Sequence, residues 1–340
     1  MAANRKTWQH RLIAASMISF VLWLGVFNAT KARLLVVHSS SASTPWVQAV
    51  DAGMQQALAN NRRPISVSWM YLNLQSPTHQ RQRQQSRAAL QRMLDQVAPD
   101  VVIAVDDEAN ALMTQTALPS KGTRILYVSV DRSPNSYAYG DSVQVSGISE
   151  TLPLAAVRDA AMTLFNGRRL TAAVIGIDTP TGQAEMAQVR DFDWGPISIK
   201  ASRLAATTAA WREFVRSTPA DLLLVLSTQG LPEPDGSITA AGPLIRWTQA
   251  HAQALPIGTQ IDFVPEGGAL SFAPPPMAYG KQSIAAALDW LDQRRSPGPP
   301  PAGTSAEFQV GLRQSALAER GLQLPPIYRE AARAAGALYP

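Results

Sequence analysis

The fold is decided by residues 33–54, which read RLLVVHSSSASTPWVQAVDAGM. Residues 33–38 form a short apolar run that is β-branched toward its end, as in a strand that a sheet buries on both faces. A polar loop follows, and Pro45 suits the first turn of a helix because its missing N–H would have no partner there. Apolar residues then recur at helical spacing to about Asn60. The stretch therefore predicts one β-α unit of a parallel sheet.

The rest of the chain repeats this unit in two series that break near residue 150. The spacing predicts further strands at 65–72, 101–105, 124–130, 143–147, 171–177, 196–201, 221–226 and 261–264. It predicts helices at 77–97, from 106 onward, and at 153–166, 181–192, 207–217, 242–253 and 279–294. Repeated β-α units imply parallel sheets wound with helices on both faces. The fold class expected is α/β, with two Rossmann-like lobes.

Four segments follow from this pattern. Residues 1–32 are expected to be an export segment, 33–148 lobe 1, 149–260 lobe 2, and 261–340 a return to the hinge and lobe packing. Within the last segment, residues 297–303 read PGPPPAG, a composition typical of a stiff linker.

The N-terminus combines positive charge with an apolar run. Arg5, Lys6 and Arg11 precede or flank an uncharged stretch, residues 12–27, of about 16 residues. That is shorter than the roughly 20 residues that a membrane-spanning helix needs, so a signal peptide is predicted, with cleavage near Ala32. An uncleaved signal anchor formed by residues 12–27 is the alternative. Either interpretation predicts a periplasmic protein.

The charge of the chain argues against a nucleic-acid partner. The net charge is +5, and five basic residues with no acid fall within the first 33 positions. The remaining chain is therefore balanced, and a basic groove for phosphates is not indicated. The chain also contains no cysteine, which excludes disulfides, thiolate metal sites and a lipidated cysteine.

Sequence motifs give no support to an enzyme. The chain lacks the Gly-x-Ser-x-Gly elbow, a Walker loop and the Gly-x-Gly-x-x-Gly fingerprint, and its four histidines do not pair at metal spacing. Residues 106–108 (Asp-Asp-Glu) are explained by acids at the positive end of a helix. No catalytic residue, metal or cofactor is expected.

Small polar residues follow most of the predicted strands. They are Ser39 to Ser41, Asp106 and Asp107, Asp131, Asp178 and Thr179, Ser227 to Gln229, and Glu266 to Gly268. Ligands of open α/β sheets sit beyond the carboxyl ends of the strands, so these residues predict a cleft for a polar small molecule. Helix capping is the alternative for any single one of them.

Several segments in consistent order resemble one family. They are residues 33–54, PDVVIAVDDEANALM (99–113), VSGISETLPL (145–154), EGGALSFAPPPMAYGKQSIAAALDWL (266–291) and VGLRQSALAERGLQLPPIYREA (310–331). They are similar to the ABC-transporter substrate-binding proteins of the type I periplasmic class that includes tryptophan and tyrosine binders, with relatives that serve as sensor domains. The resemblance implies two lobes that close on a ligand.

The resemblance also implies ligand-facing positions. They are Ser39, Ser40, Asp106, Asp131, Ser149, Glu150, Asp178, Thr181, Thr228 and Glu266. The sequence departs from the family at Ser40, where an aromatic residue is common, and after Ser271, where Phe-Ala-Pro-Pro-Pro replaces a more polar run. The ligand therefore does not carry over.

The expected function is capture of a small polar solute for an ABC importer, with an ABC permease as partner. A non-transport sensor or an envelope docking protein of the same fold, with a membrane receptor as partner, is the alternative. Helix N-termini and the hydroxyls of Ser39, Ser40 and Thr181 suit a ligand carboxylate. A ligand ammonium would bind one of four acids, Asp106, Asp131, Asp178 or Glu266. An amino-acid-like zwitterion is the ligand that this division predicts; Arg132 is the only arginine directly beyond one of these strand ends.

Overall fold

The computed structural model describes residues 2–74, 80–118, 122–131, 137, 139, 144–233, 237–292, 303–304 and 307–340. The chain forms two separate β-sheets flanked by helices. The first sheet is built from β1 (Ala32–His38), β2 (Ile65–Tyr71), β3 (Val101–Val105), β4 (Arg124–Val130), β5 (Gln144–Ser149) and β11 (Gly303–Thr304). Its order is β11-β5-β4-β3-β1-β2, and its neighbouring strands pair in parallel.

The second sheet has seven strands in the order β13-β12-β10-β9-β8-β6-β7. They are β6 (Leu170–Ile177), β7 (Ile197–Ala205), β8 (Leu222–Val225), β9 (Leu255–Gly258), β10 (Leu270–Ala273), β12 (Gln309–Arg313) and β13 (Leu338–Tyr339). Strand β12 runs antiparallel to β10, whereas the other pairs are parallel. The sequence-based expectation of two α/β lobes with parallel sheets is confirmed.

Helices cover both faces of each sheet. Those beside the first sheet are α2 (Pro45–Ala59), α3 (Gln80–Val97), α4 (Asp107–Met113) and α9 (Pro276–Asp292). Those beside the second are α5 (Leu154–Leu164), α6 (Pro180–Asp191), α7 (Thr208–Ser217), α8 (Ala241–His251), α10 (Gln314–Ala318) and α11 (Pro326–Ala334). The chain passes from one sheet to the other after β5, after β10 and after β11, so residues distant in sequence meet between the sheets.

Strand β1 shows why the opening sequence has no polar alternation. Leu34 and Val36 face the core that α2 and α9 complete, whereas Leu35 and Val37 face the core on the α3 side. All four side chains are fully buried. A parallel strand covered by helices on both faces needs a continuous apolar run, which this segment supplies.

Helix α9 packs closely on α2 although more than 200 residues separate them in sequence. A Cβ added at Gly53 would collide with the backbone of Met277, and one added at Gly280 would collide with the backbone of Val50. The two glycines therefore allow the helix backbones to approach each other. The consequence is that residues 276–292 join the first sheet rather than the second.

Two sequence-based element predictions differ from the structure. The strand expected at 261–264 is wrong, because residues 261–267 form turns and the strand is β9, at Leu255–Gly258. This strand contains Pro256, which pairs with Leu223 of β8 in parallel register, and a proline argues against a central strand. Strand β10 (Leu270–Ala273) lies in a Gly- and Pro-rich stretch for which no strand is predicted.

Some predictions fall on residues outside the described ranges. They are the start of the helix expected from Pro77, Arg132, and residues 297–302 of the Pro-rich linker. The last linker residue, Gly303, begins β11.

The N-terminal segment forms one helix, α1 (Ala2–Thr30). Large apolar side chains between Ile13 and Val26 are more than 40% exposed. Within the described part of the chain, no helix meets the length and hydropathy needed to cross a membrane. Export by this segment stays a prediction.

Candidate ligand-binding site

Polar side chains at the ends of β1 and β3 contact each other. Ser39 follows β1, Asp106 follows β3, and the two strands are neighbours in the first sheet. The Ser39 hydroxyl donates a hydrogen bond of 2.5 Å to Asp106 Oδ2. Because parallel strands end at the same edge of a sheet, residues separated by 67 positions meet here. Two of the sequence-predicted site residues are therefore brought together.

Asp106 adopts a backbone conformation that favours glycine. Its φ is 76° and its ψ is 158°, while its Oδ1 accepts the Asp107 N–H at 2.5 Å at the start of α4. Such strained conformations cost of order 1–3 kcal/mol and cluster at ligand sites. The conformation holds the carboxylate against both Ser39 and the first turn of α4.

Asp131 follows the end of β4 and contacts Asp107 of α4. The Asp131 N–H donates to Asp107 Oδ2 at 3.2 Å, and the Tyr137 hydroxyl donates to Asp107 Oδ1. Asp107 is 3% exposed, so it serves inside the lobe, whereas Asp131 is only half-buried. Asp131 is thus the more exposed acid of this pair.

Glu150 lies directly after β5, where the chain leaves the first sheet. Its N–H donates to the Val130 carbonyl at 2.9 Å, and its Oε2 accepts a hydrogen bond from the Ser129 hydroxyl. Ser129 itself has a φ of 52°, a second non-glycine residue in the left-handed region at this edge. The crossover between the lobes therefore begins with a half-buried carboxylate.

A fifth acid comes from the second lobe. Glu185 on α6 is 1% exposed, and its two carboxylate oxygens accept the Ser227 N–H at 2.9 Å and the Gln260 Nε2 at 2.7 Å. Sequence reasoning missed this residue because it lies inside a helix rather than at a strand end. The spacing of Glu185 could have placed it on the buried face of the helix. It falls three residues after Gly182 and four before Val189, and both of these are buried.

Helix α6 is fastened to the crossover by Gln188. The Leu152 N–H donates to Gln188 Oε1 at 2.9 Å, and Gln188 Nε2 donates to the Glu150 carbonyl at 3.3 Å. Residues three apart share one face of a helix, so Glu185 faces the same side as Gln188. This contact brings the acid of the second lobe toward the acids of the first.

The acids lie close enough to shift one another's pKa values. Burial is the largest cause that raises the pKa of Asp106 to about 7, of Glu150 to about 6 and of Glu185 to about 8. Burial also raises the pKa of Asp131 well above its usual value, and repulsion from Glu150 and Glu185 adds to the shift. Glu185 of the second lobe therefore repels Asp131 of the first.

A tyrosine hydroxyl faces this cluster. Tyr279 on α9 is fully buried, and its hydroxyl has no hydrogen-bond partner among the described residues. The Thr151 N–H is near enough to lower its pKa, yet it falls short of hydrogen-bond geometry. Burial, and then the charges of Glu150 and Asp131, raise the pKa of Tyr279. The hydroxyl therefore lies beside the acids with its hydrogen-bonding capacity unused.

Replacement of Tyr279 by phenylalanine removes the unpaired hydroxyl. We expect Tyr279→Phe to raise the free energy of unfolding of the ligand-free protein by about 1 kcal/mol, because an unpaired buried hydroxyl costs about 1–3 kcal/mol. Urea denaturation measures the change.

The matched control is Tyr71→Phe in the same lobe. The Tyr71 hydroxyl donates to Asp51 Oδ2 at 2.8 Å, and Asp51 Oδ1 lies 2.8 Å from His38 Nε2. We expect this variant to lose about 1–2 kcal/mol of stability. A loss of stability in Tyr279→Phe equal to that of Tyr71→Phe would contradict the assignment of an unused hydroxyl.

The other sequence-predicted residues have different surroundings. Ser40 and Thr181 are half-buried, and Thr228 is 2% exposed with no hydrogen-bond partner for its hydroxyl among the described residues. Ser149 ends β5, and its hydroxyl lowers the pKa of Tyr127, against the larger effect of burial, which raises it.

Two predicted acids are engaged within the second lobe. Asp178 is exposed and accepts a hydrogen bond from Gln183 at 2.9 Å. Glu266 forms an ion pair of 3.3 Å with Arg246. The structure does not join either of them to the cluster of Asp106, Asp131, Glu150 and Glu185.

The described acids are not arranged as metal ligands. Among the described residues, no group of three or more His, Asp or Glu side chains is arranged to hold a metal ion. The Asp106 and Asp107 carboxylates instead accept hydrogen bonds from Ser39, Tyr137 and backbone N–H groups.

Comparison with solved structures identifies the fold. The structure is similar to an ABC domain in complex with L-Trp from Streptococcus pneumonia, with a TM-score of 0.63 and 14% identity over 89% of this chain and 98% of that one. It is also similar to a conserved domain protein from Vibrio cholerae, with a TM-score of 0.59 and 12% identity over 89% and 98% of the two chains. An arabinose binding protein from Geobacillus stearothermophilus matches with a TM-score of 0.55 and 12% identity, covering 84% and 98%.

These matches establish that the chain has the type I periplasmic binding protein fold, as the sequence resemblance implied. No protein-family model matches the sequence, and no curated protein matches it either. The structural relatives whose names state a role are mostly binding proteins, and the ligands in their names, L-Trp and arabinose, differ in chemistry. The names of these relatives therefore do not identify a ligand for this chain.

Proposed function

We propose that this protein captures a small polar solute between its two lobes and delivers it to an ABC importer. The observation that carries the proposal is that Asp106, Asp131 and Glu150 of the first lobe lie near Glu185, whose helix is hydrogen-bonded to the crossover through Gln188. Acids whose pKa values are raised by desolvation and by neighbouring charges are typical of functional sites. Export through the N-terminal segment would place the cleft in the periplasm, where such solutes are captured.

The proposed lobes have the bounds that the sequence predicts, and residues 261–340 contribute strands and helices to both. Residues 33–148 form the first lobe and 149–260 the second, while 261–340 return to both. Within that last segment, α9 and β11 pack with the first sheet, and β10, β12 and β13 pair in the second. The three passages of the chain between the sheets give the lobes a hinge about which to close.

The proposed ligand-facing set keeps the sequence-predicted residues that reach the cleft edge. Ser39, Asp106, Asp131 and Glu150 are its first-lobe members, and Glu185 and Tyr279 are added from the structure. Ser40, Ser149, Thr181 and Thr228 stay in the set as hydroxyl donors near strand or helix ends. Asp178 and Glu266 have partners in the second lobe and are proposed as secondary positions.

Ligand-induced closure is the test of this function. The full chain is screened by thermal shift against amino acids, sugars and amines, and small-angle scattering is then recorded with and without each compound that raises the melting temperature. We expect a smaller radius of gyration at saturating ligand. A bound compound that leaves the radius unchanged would contradict solute capture by closure and would support a docking protein of the same fold.

A further inference from the structure

We propose that the solute is an organic dication, such as an aliphatic diamine, whose two cationic nitrogens bind carboxylates of the two lobes. The inference rests on the proposed function, since it names the ligand class for the same cleft. It differs from the zwitterion that the sequence alone suggested.

The first argument is the charge of the cleft. Asp106, Asp131 and Glu150 on one side and Glu185 on the other form no ion pair with any lysine, arginine or histidine of the described residues. The ion pairs among the described residues involve other acids, such as Glu266 with Arg246. Buried charges in proteins are normally paired, because an unpaired charge is costly to desolvate. A ligand that brings positive charge would supply the missing partner.

Tyr279 supplies a second observation, an unpaired buried hydroxyl. Its fully buried hydroxyl has no hydrogen-bond partner among the described residues, and the charges of Glu150 and Asp131 act on it. An ammonium group has three donors and no acceptor. One such group could donate to Glu150, Asp131 and the Tyr279 oxygen together, which would satisfy the hydroxyl that the protein leaves unpaired.

The fixed position of Glu185 is the reason why the ligand needs two cationic centres. Glu185 is held by the Ser227 N–H and by Gln260, so it cannot swing across to share a cation with the first lobe. A single ammonium bound at Glu150 would leave Glu185 without a counter-charge. A zwitterion would place its carboxylate among acids, and a neutral sugar would leave every carboxylate uncompensated. A second cationic nitrogen at Glu185 removes these costs.

Binding of a cation should also depend on pH. The titratable groups that surround the cleft are Asp106, Asp107, Asp131, Glu150, Glu185, Tyr127, Tyr137, Tyr139 and Tyr279. Burial raises the pKa of Asp106 and Glu185 to about 7 and 8, so both are largely protonated at pH 5.5. Protonated acids carry no charge for an ammonium, and affinity is expected to fall as the pH is lowered.

Three compounds of matched length test the ligand class. Titration calorimetry on the full chain at pH 8 uses 1,4-diaminobutane, the zwitterion 4-aminobutanoate and the neutral 1,4-butanediol. We expect the diamine to bind at least tenfold more tightly than 4-aminobutanoate, with no heat from the diol, and to weaken at least tenfold at pH 5.5. Equal or tighter binding of the zwitterion or the diol would overturn the proposal.

Variants test the role of the second lobe. Glu185→Gln keeps the size of the side chain and removes its charge, so we expect diamine binding about 30-fold weaker or more. Asp191→Asn, an exposed acid on the same helix, is the control and should bind as the native protein does. Tyr279→Phe probes the first lobe if Glu185→Gln fails to fold, and should weaken the diamine as well. Native-like binding by folded Glu185→Gln would contradict the bridging geometry.

The outcomes separate this inference from the proposed function. A sugar or amino acid that binds and closes the lobes, with no binding of the diamine, would overturn the dication and leave solute capture standing. A diamine that binds with the expected selectivity but leaves the radius of gyration unchanged would support the ligand class and contradict closure.

Discussion

Raising the pH from 5 to 8 is expected to lower the free energy of unfolding of the ligand-free protein by a few kcal/mol. Asp106, Glu150 and Glu185 have folded-state pKa values of about 7, 6 and 8, whereas their ordinary values are 3.8 and 4.5. Between pH 4.5 and 8 the folded state therefore binds more protons than the unfolded state. Stability falls as the pH rises wherever the folded state is the more protonated one.

The measurement is urea denaturation at constant ionic strength between pH 5 and pH 8. Asp221, whose pKa is lowered chiefly by its hydrogen bond with Arg168, loses its stabilising effect only on the acid side of this window. Glu185→Gln is the control, since it removes the acid whose pKa is raised to about 8. It should flatten the dependence on pH and be more stable than the native protein at pH 8. A stability that is constant or rises with pH in the native protein would contradict the cluster.

The cost of ionising these acids in the folded state also couples ligand binding to the stability of the protein. At pH 8 Asp106 and Glu150 are largely ionised and Glu185 is partly ionised, at a cost to the folded state, and a cation that binds them would lower that cost. Stabilisation by a ligand that binds only the folded state follows its concentration relative to its dissociation constant. We therefore expect the thermal shift caused by a diamine to be larger at pH 8 than at pH 5.5.

The sequence predicted the part of the site that strand ends define. Ser39 and Asp106 meet because β1 and β3 are neighbours, and Asp131 and Glu150 follow the next two strands of the same sheet. Polarity after a buried apolar run is visible without a structure. The order of strands in an open sheet then brings such residues to one edge.

The remaining site residues depend on tertiary structure that no local pattern contains. Glu185 lies in the middle of α6, and its role arises only because Gln188 fastens that helix to the crossover. Tyr279 reaches the first lobe because α9 returns to pack on α2 across Gly53 and Gly280. The prediction places a strand at 261–264 instead of at β9 for a related reason. Burial in the sheet outweighs the local preference of Pro256 against a central strand.

Replacing Trp290 by alanine is expected to cost about 3–5 kcal/mol of stability, with the loss confined to the first lobe. Trp290 on α9 is 1% exposed and packs with the core of the first sheet. Its carbonyl accepts a hydrogen bond of 2.5 Å from Arg124 of β4, whose guanidinium lies 5.6 Å from the ring. Although α9 follows the second-lobe strand β10 in sequence, its packing assigns it to the first lobe as a folding unit.

Trp211→Ala provides the matched control in the other lobe. Trp211 on α7 is fully buried in the second-lobe core and donates to Thr248 Oγ1 at 2.9 Å, so a similar loss is expected there. Hydrogen exchange at a urea concentration below the main transition separates the two variants. Trp290→Ala should expose the amides of β1 and β3, and Trp211→Ala those of β6 and β8, because locally cooperative units open separately. Equal loss of protection in both sheets from either variant would show that the lobes unfold as one unit and would contradict the division proposed here.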